Sequence, residues 1–170
     1  MLYNPVQCKN DMDLVIKGSS ENYGNIYLGN YKAAGDLNDL KSKKIRAVLS
    51  LGCEVDFSVY TSEDFDAHKV IEIGDVESAD LSKYFFECTE WIERCREKTN
   101  VLIHCMAGIS RSSAILIAYL MIKSGMGYVQ ASKFLTLKRA EVNPNSGFVR
   151  QLKDLEKLRQ FTFEFSEMNF

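Results

Sequence analysis

The sequence predicts an α/β domain in which a central, mostly parallel sheet is flanked by helices. Short aliphatic runs recur at Asn25–Gly29, Arg46–Leu51, Val70–Ile73 and Val101–Ile103, as buried strands do. Segments with apolar residues at spacings of three and four separate or follow them, the signature of amphipathic helices. Alternation of the two periods places helices over a largely parallel sheet.

Residues 1–22 are polar and aperiodic apart from Leu14-Val15-Ile16. They read as an N-terminal arm with room for one edge strand and no catalytic weight. The main domain is expected over residues 23–160. Within it, Asn25–Gly29 is a short strand closed by glycine, and Ala33, Ala34, Leu37 and Leu40 predict one helix from Tyr31 to Lys43. Arg46–Leu51, ended by Gly52, suits a buried strand, as does Val70–Ile73. Leu81, Tyr84, Phe85, Cys88, Trp91, Ile92 and Cys95 fall on one helical face, with Asp80 placed to cap the helix start. The aromatic residues and both cysteines of this face read as packing groups.

Val101–Ile103 delivers His104 and Cys105 to a strand end directly before a helix running from near Ser112 to Ser124. That helix is apolar nearly all round, which implies a central buried position, and Gly125 is placed to stop it. Helices at Tyr128–Lys138 and Asn145–Gln160 complete the domain, with Lys138 and Arg139 reading as a solvated helix end. The tail 161–170 opens with Phe161-Thr-Phe-Glu-Phe165, which alternates like a strand but equally suits an apolar peptide on the helices.

Bulk properties narrow the function. With 170 residues, 46% hydrophobic and 26% charged, the chain has the size and composition of one globular domain. A net charge of −2 supplies no general pull toward nucleic acid or anionic lipid. Five cysteines, with no paired Cys-x-x-Cys spacing, suggest neither a complete disulfide framework nor a structural metal. Free thiols in a reducing compartment fit best. The start has no apolar signal core, and the longest apolar run, Ala114–Ile122, is too short to span a bilayer. The expectation is a cytosolic or nuclear protein with no nucleic-acid or membrane partner and no cofactor.

The chemistry concentrates in His104-Cys-Met-Ala-Gly-Ile-Ser-Arg-Ser112, a thiol at a strand end, a six-residue step to an arginine, and a helix start. A loop wrapped over a helix amino terminus points several backbone N–H groups into one concavity, where the helix dipole also favours negative charge. Met106, Ala107, Gly108, Ile109, Ser110 and Arg111 could cradle a dianionic phosphate there, and the same field stabilises a thiolate at Cys105. The planar Arg111 fork can hold two phosphate oxygens, Gly108 permits a tight turn, and Ser112 can donate to the sulfur. His104 reads as a hydrogen-bonded scaffold residue. Cys53, at a neighbouring strand end, reads as an inert thiol; the alternative is a disulfide with an oxidised Cys105.

This segment resembles the signature of the dual-specificity phosphatases of the protein tyrosine phosphatase superfamily: His-Cys, five residues, Arg, Ser/Thr. The resemblance runs from about Ile26 to Leu158 and includes Ile26-Tyr-Leu-Gly-Asn-Tyr-Lys-Ala-Ala34, the loop Gly74-Asp-Val-Glu-Ser-Ala-Asp-Leu-Ser-Lys-Tyr-Phe85, Ala118-Tyr-Leu-Met121 and Asn143-Pro-Asn-Ser-Gly-Phe-Val-Arg-Gln-Leu152. It implies a protein tyrosine phosphatase-like fold and a metal-free phosphatase acting on phosphotyrosine and phosphoserine or phosphothreonine in proteins. It further implies that Cys105 is the nucleophile, Arg111 holds the phosphate, Ser112 assists the departing thiolate, and Asp75 is general acid and then base. Asp80 is the competing acid. For Lys138 and Arg139 the resemblance offers an alternative to a solvated helix end, since in that family a basic residue near here lies by the pocket. The loop side chains Met-Ala-Gly-Ile-Ser carry no cation, which disfavours a highly anionic substrate. The alternatives are a non-catalytic phosphopeptide-binding module and a phosphatase acting on a non-protein phosphate ester. A sulfurtransferase would need a different cysteine-to-arginine step, and a low-molecular-weight phosphatase would place its loop near the amino terminus.

Overall fold

The computed structural model describes residues 9–19, 23–52, 60 and 63–167, with side chains described as far as Arg159. Among these residues five strands form one sheet: β1 (Met12–Ile16), β2 (Ile26–Gly29), β3 (Ile45–Leu51), β4 (Ala67–Ile71) and β5 (Asn100–His104). Their order is β1-β2-β5-β3-β4. β2, β5, β3 and β4 are mutually parallel, and β1 runs antiparallel along β2. The central strand β5 is therefore paired on both edges, and its carboxyl end is held in register with those of β2 and β3, as Gly29 and Ser50 both face His104.

Among the described residues six α-helices cover the sheet: α1 (Tyr31–Gly35), α2 (Leu37–Ser42), α3 (Phe85–Arg96), α4 (Arg111–Ser124), α5 (Tyr128–Lys138) and α6 (Ser146–Glu167). Because strand side chains alternate, the core is split in two. On one face Ile26, Leu28, Ala47, Leu49, Val101 and Ile103 pack with Phe85, Cys88, Ile92, Leu116, Leu135 and Phe148 from the larger helices. On the other, Tyr27, Val48 and Leu102 pack with Ala33, Ala34 and Leu40 of the two short ones. Each fully buried Leu or Ile side chain contributes roughly 1.5–3 kcal/mol. In α4 every residue from Arg111 to Met121 is buried, as its all-round apolar sequence requires, and Gly125 ends it in the left-handed conformation at φ 72°.

Four local expectations are corrected. The single helix over Tyr31–Lys43 is two, because Gly35 is a poor helix former and Asp36 turns out at ψ 83° and accepts from Asp39 N at 3.0 Å, capping α2. The fourth strand is Ala67–Ile71 and not Val70–Ile73. It stops where β3 stops, Leu51 facing Ile71, so Ile73 lies beyond the sheet. At the start of the following helix, a 3₁₀ turn over Ser82–Tyr84 precedes α3, and Gln151 Oε1 accepts from both Leu81 N and Ser82 N at 2.8 Å. Asp80 instead accepts from Ser82 Oγ at 2.6 Å, a bond that holds its carboxyl below the usual range. Finally, α6 continues to Glu167, since no glycine or proline follows Gly147, and the stretch 161–165 is helical, not extended. Among the described residues no helix is long and apolar enough to cross a membrane.

Candidate active site

The carboxyl end of β5 runs straight into the loop 105–110, and the loop into the amino terminus of α4. Cys105 is 2% exposed, at the base of this junction, with its Sγ 3.1 Å from Ser112 Oγ in the first turn of the helix. Either atom can be the donor; with a thiolate, the hydroxyl donates.

The loop carbonyls define its shape. Met106 O accepts from Tyr31 N at 3.1 Å, Ala107 O from Arg139 Nη2 at 3.4 Å, Gly108 O from Arg139 Nε at 3.0 Å, and Ile109 O from Asn143 N at 2.9 Å. Four successive carbonyls are thus held by the surrounding protein. In a planar trans peptide the N–H of the next residue points opposite to the carbonyl. The amides of residues 107–110 are therefore turned to the inner side, over Cys105 and the α4 terminus. That is an anion cradle of backbone dipoles. Gly108 makes the turn at φ 66°, and its back lies so close to β2 that a Cβ there would be 2.5 Å from Gly29 O.

Arg111 is 6% exposed, its Nη1 donating to Ile73 O at 3.2 Å and its Nε 3.9 Å from Asp75 Oδ2. Asp75 sits on the loop after β4 and is docked on two donors, with Oδ1 accepting from Ser110 Oγ at 2.7 Å and from Asn145 Nδ2 at 2.8 Å. Ser110 in turn accepts from Asn145 N at 3.1 Å. Asn145 also begins α6, its Oδ1 accepting from Phe148 N. One asparagine thus fixes a helix start, the cradle and the acidic loop together. Its Asn-x-x-Phe position before a helix was a readable cap signal; its contact with Asp75 was not.

Behind the cradle, His104 is 2% exposed, with Nε2 2.6 Å from Ser50 Oγ, and Ser50 Oγ lies 3.1 Å from His68 Nε2. Burial pushes the His104 pKa down to about 4, and the nearby His68 and Arg111 act in the same direction, so the ring is neutral at physiological pH. Sequence reasoning found His104 but not Ser50 or His68, which converge only through strand register.

The structure therefore brings Cys105, Arg111, Asp75, Ser112 and the loop Met106–Ser110 into one place. Met106 is the outlying member, 41% exposed at the rim. The competing acid Asp80 is engaged at the helix start instead. Cys53 lies outside the described residues. Lys138 is exposed, but its neighbour is a correction: Arg139 is no solvated helix end, being 1% exposed and hydrogen-bonded to the loop. Among the described residues, no three His, Cys, Asp or Glu side chains gather as a metal site would require. A wide cleft at the opposite end of the sheet, lined by Lys17, Lys44 and Lys98, is remote from this constellation.

A thiol under a ring of amides, with an arginine and a carboxylate beside it, is a set of groups suited to phosphoryl transfer. The model of the dual specificity phosphatase catalytic domain matches residues 26–158. The chain is 40% identical over 141 residues to dual specificity protein phosphatase 1 of Arabidopsis thaliana, covering 82% of this chain and 70% of that one. It is 35% identical over 133 residues to human dual specificity protein phosphatase 22, covering 78% and 70%. Among solved structures, that of DUSP15 superposes with a TM-score of 0.75 at 32% identity, covering 90% of this chain and 95% of that one. The chain belongs to the dual specificity phosphatase family and is a protein phosphatase.

Proposed function

We propose that the chain removes phosphate from phosphotyrosine and from phosphoserine or phosphothreonine in proteins through a phosphocysteine at Cys105. The Cys105 thiolate attacks phosphorus as the bond to the ester oxygen breaks, and that oxygen takes the proton carried by Asp75. The transferring phosphoryl group is held by the inward amides of residues 107–110 and by the Arg111 fork, which turns from the Ile73 carbonyl onto the phosphate oxygens. Water then attacks the phosphocysteine, Asp75 takes its proton, and the thiolate departs with Ser112 Oγ donating to the sulfur. Amides and guanidinium carry the charge, so no step asks for a metal.

The observation that carries this reading is the run of four outward carbonyls in the loop after Cys105, which turns the amides of residues 107–110 toward one seat. The placement of Asp75 beside Arg111 supports the acid assignment. Side chains of the loop bring no cation beyond Arg111, which favours one phosphoryl group on a protein over a polyphosphorylated small molecule.

Hydrolysis of a small aryl phosphate, measured across pH with chelator present, tests it. Wild type should turn over, Cys105→Ser should fall at least about 10⁴-fold, and Asp75→Asn about 10²-fold or more with loss of the descending, alkaline limb of the pH profile. An inactive wild type that still binds phosphopeptides would make the protein a reader and overturn the proposal.

A further inference from the structure

We infer that Asp13, on the N-terminal edge strand, is a positioning residue for the phosphate loop, acting through the buried guanidinium of Arg139. The inference rests on the phosphate-binding reading of that loop. β1 lies before the segment that matches the family domain, so the match assigns it no role.

Arg139 follows α5 in extended backbone, and its side chain is fully buried, at 0% exposure. Four of its five N–H donors are engaged, in two directions. Toward the loop, Nε donates to Gly108 O at 3.0 Å and Nη2 to Ala107 O at 3.4 Å. Toward β1, Nη1 donates to Asn10 O at 3.0 Å and to Asp13 Oδ2 at 2.7 Å. The planar fork therefore spans from the edge strand to the back of the loop.

Two of the four outward carbonyls depend on this one side chain. If it shifts, the peptide units 107–108 and 108–109 are free to turn, and the amides of Gly108 and Ile109 leave the seat. A buried guanidinium keeps one orientation only when a counter-charge fixes it, since uncompensated charge is costly away from water. Asp13 is that counter-charge, and β1 is held in place by its ladder to β2 and by Asn30 Nδ2 donating to Asp11 Oδ1 at 2.9 Å. Lys9 N also donates to Glu141 Oε1 at 2.9 Å, a second tie between this segment and the stretch after α5. The edge strand is thus part of the scaffold of the seat.

The test uses inorganic vanadate as the probe, with Asp13→Asn and Arg139→Lys compared with wild type at a temperature below the unfolding transition of each. Arg139→Lys keeps the charge but loses the fork, which separates geometry from field. Vanadate affinity should fall roughly tenfold in either variant, because small misplacements at a reacting centre carry penalties of this order. The pH profile of Cys105 alkylation should also move to higher pH, which a merely structural role would not cause. Vanadate binding within about threefold of wild type, with an unmoved alkylation profile, overturns the inference and leaves the phosphocysteine reading standing. A wild type that binds no vanadate sinks both. If Arg139→Lys does not fold, Asp13→Asn decides alone.

Discussion

Cys105 and Cys88 are sealed from solvent to the same degree, at 2% and 0% exposure, and yet they sit in opposite environments. Cys88 lies on the inner face of α3, and burial pushes its thiol up to about 12; Cys95, one face-repeat later, is pushed up to about 11. Around Cys105 burial comes with direction. A helix amino terminus and a ring of amides turn positive ends toward the sulfur, and the Ser112 hydroxyl 3.1 Å away donates to it when it is a thiolate. Low exposure is thus a poor guide to whether a thiol is inert. What separates the two is whether the groups that exclude water also replace it as dipoles.

The comparison breaks most readily under alkylation. At pH 7 the thiolate fractions of Cys88 and Cys95 are about 10⁻⁵ and 10⁻⁴, so both should react with iodoacetamide only on unfolding. Peptide-resolved mass spectrometry should show Cys105 modified at least about 10³-fold faster than either. Comparable rates in the folded protein would erase the distinction.

A smaller effect concerns the dry side of the same site. His104 titrates near 4 when folded and near 6.5 when unfolded, so between those values the unfolded chain binds a proton that the folded one refuses. Stability should therefore drop as pH falls from about 6.5 to 4, by up to about 3 kcal/mol from this residue, with His68 adding to the same slope because burial lowers its pKa too. Urea unfolding of wild type and His104→Asn across this window should show a flatter dependence in the variant. Equal slopes would mean that His104 is protonated in place.

Ser112→Ala gives the smallest effect and sharpens the contrast by removing one directed group. The phosphocysteine should break down about tenfold more slowly, the size expected for one hydrogen bond to a charged leaving group. Rapid mixing with an aryl phosphate should reveal a burst of phenol followed by a slow steady state; an unchanged steady rate would show that the hydroxyl does not assist departure.

Much of this arrangement was legible in the sequence because it is local. Val101-Leu-Ile103 announces a buried strand, the step from Cys105 to Arg111 fits a loop onto a helix, and the aliphatic runs fix a parallel sheet. Other features depend on topology. Arg139 follows Lys138 at the end of an exposed helix, a pattern that usually means solvent, and its partner Asp13 lies 126 residues away. Asn145 and Asp75 are 70 residues apart and meet only because α6 starts beside the loop after β4. The break between α1 and α2 was local, though, since Gly35-Asp36 followed by Asp39 is a stop and a cap in succession.

The back-to-back packing of Gly108 on Gly29 has a consequence for anyone reshaping this enzyme. A side chain at 108 would meet both a left-handed backbone and a carbonyl oxygen at 2.5 Å, while Met106 is exposed at the rim. In a library that randomises residues 106–110, glycine at 108 should be recovered even from a screen for soluble folded protein alone, whereas position 106 should drift freely until turnover is selected. New substrate preferences are best sought at the rim, since the floor of the seat is shared with the sheet.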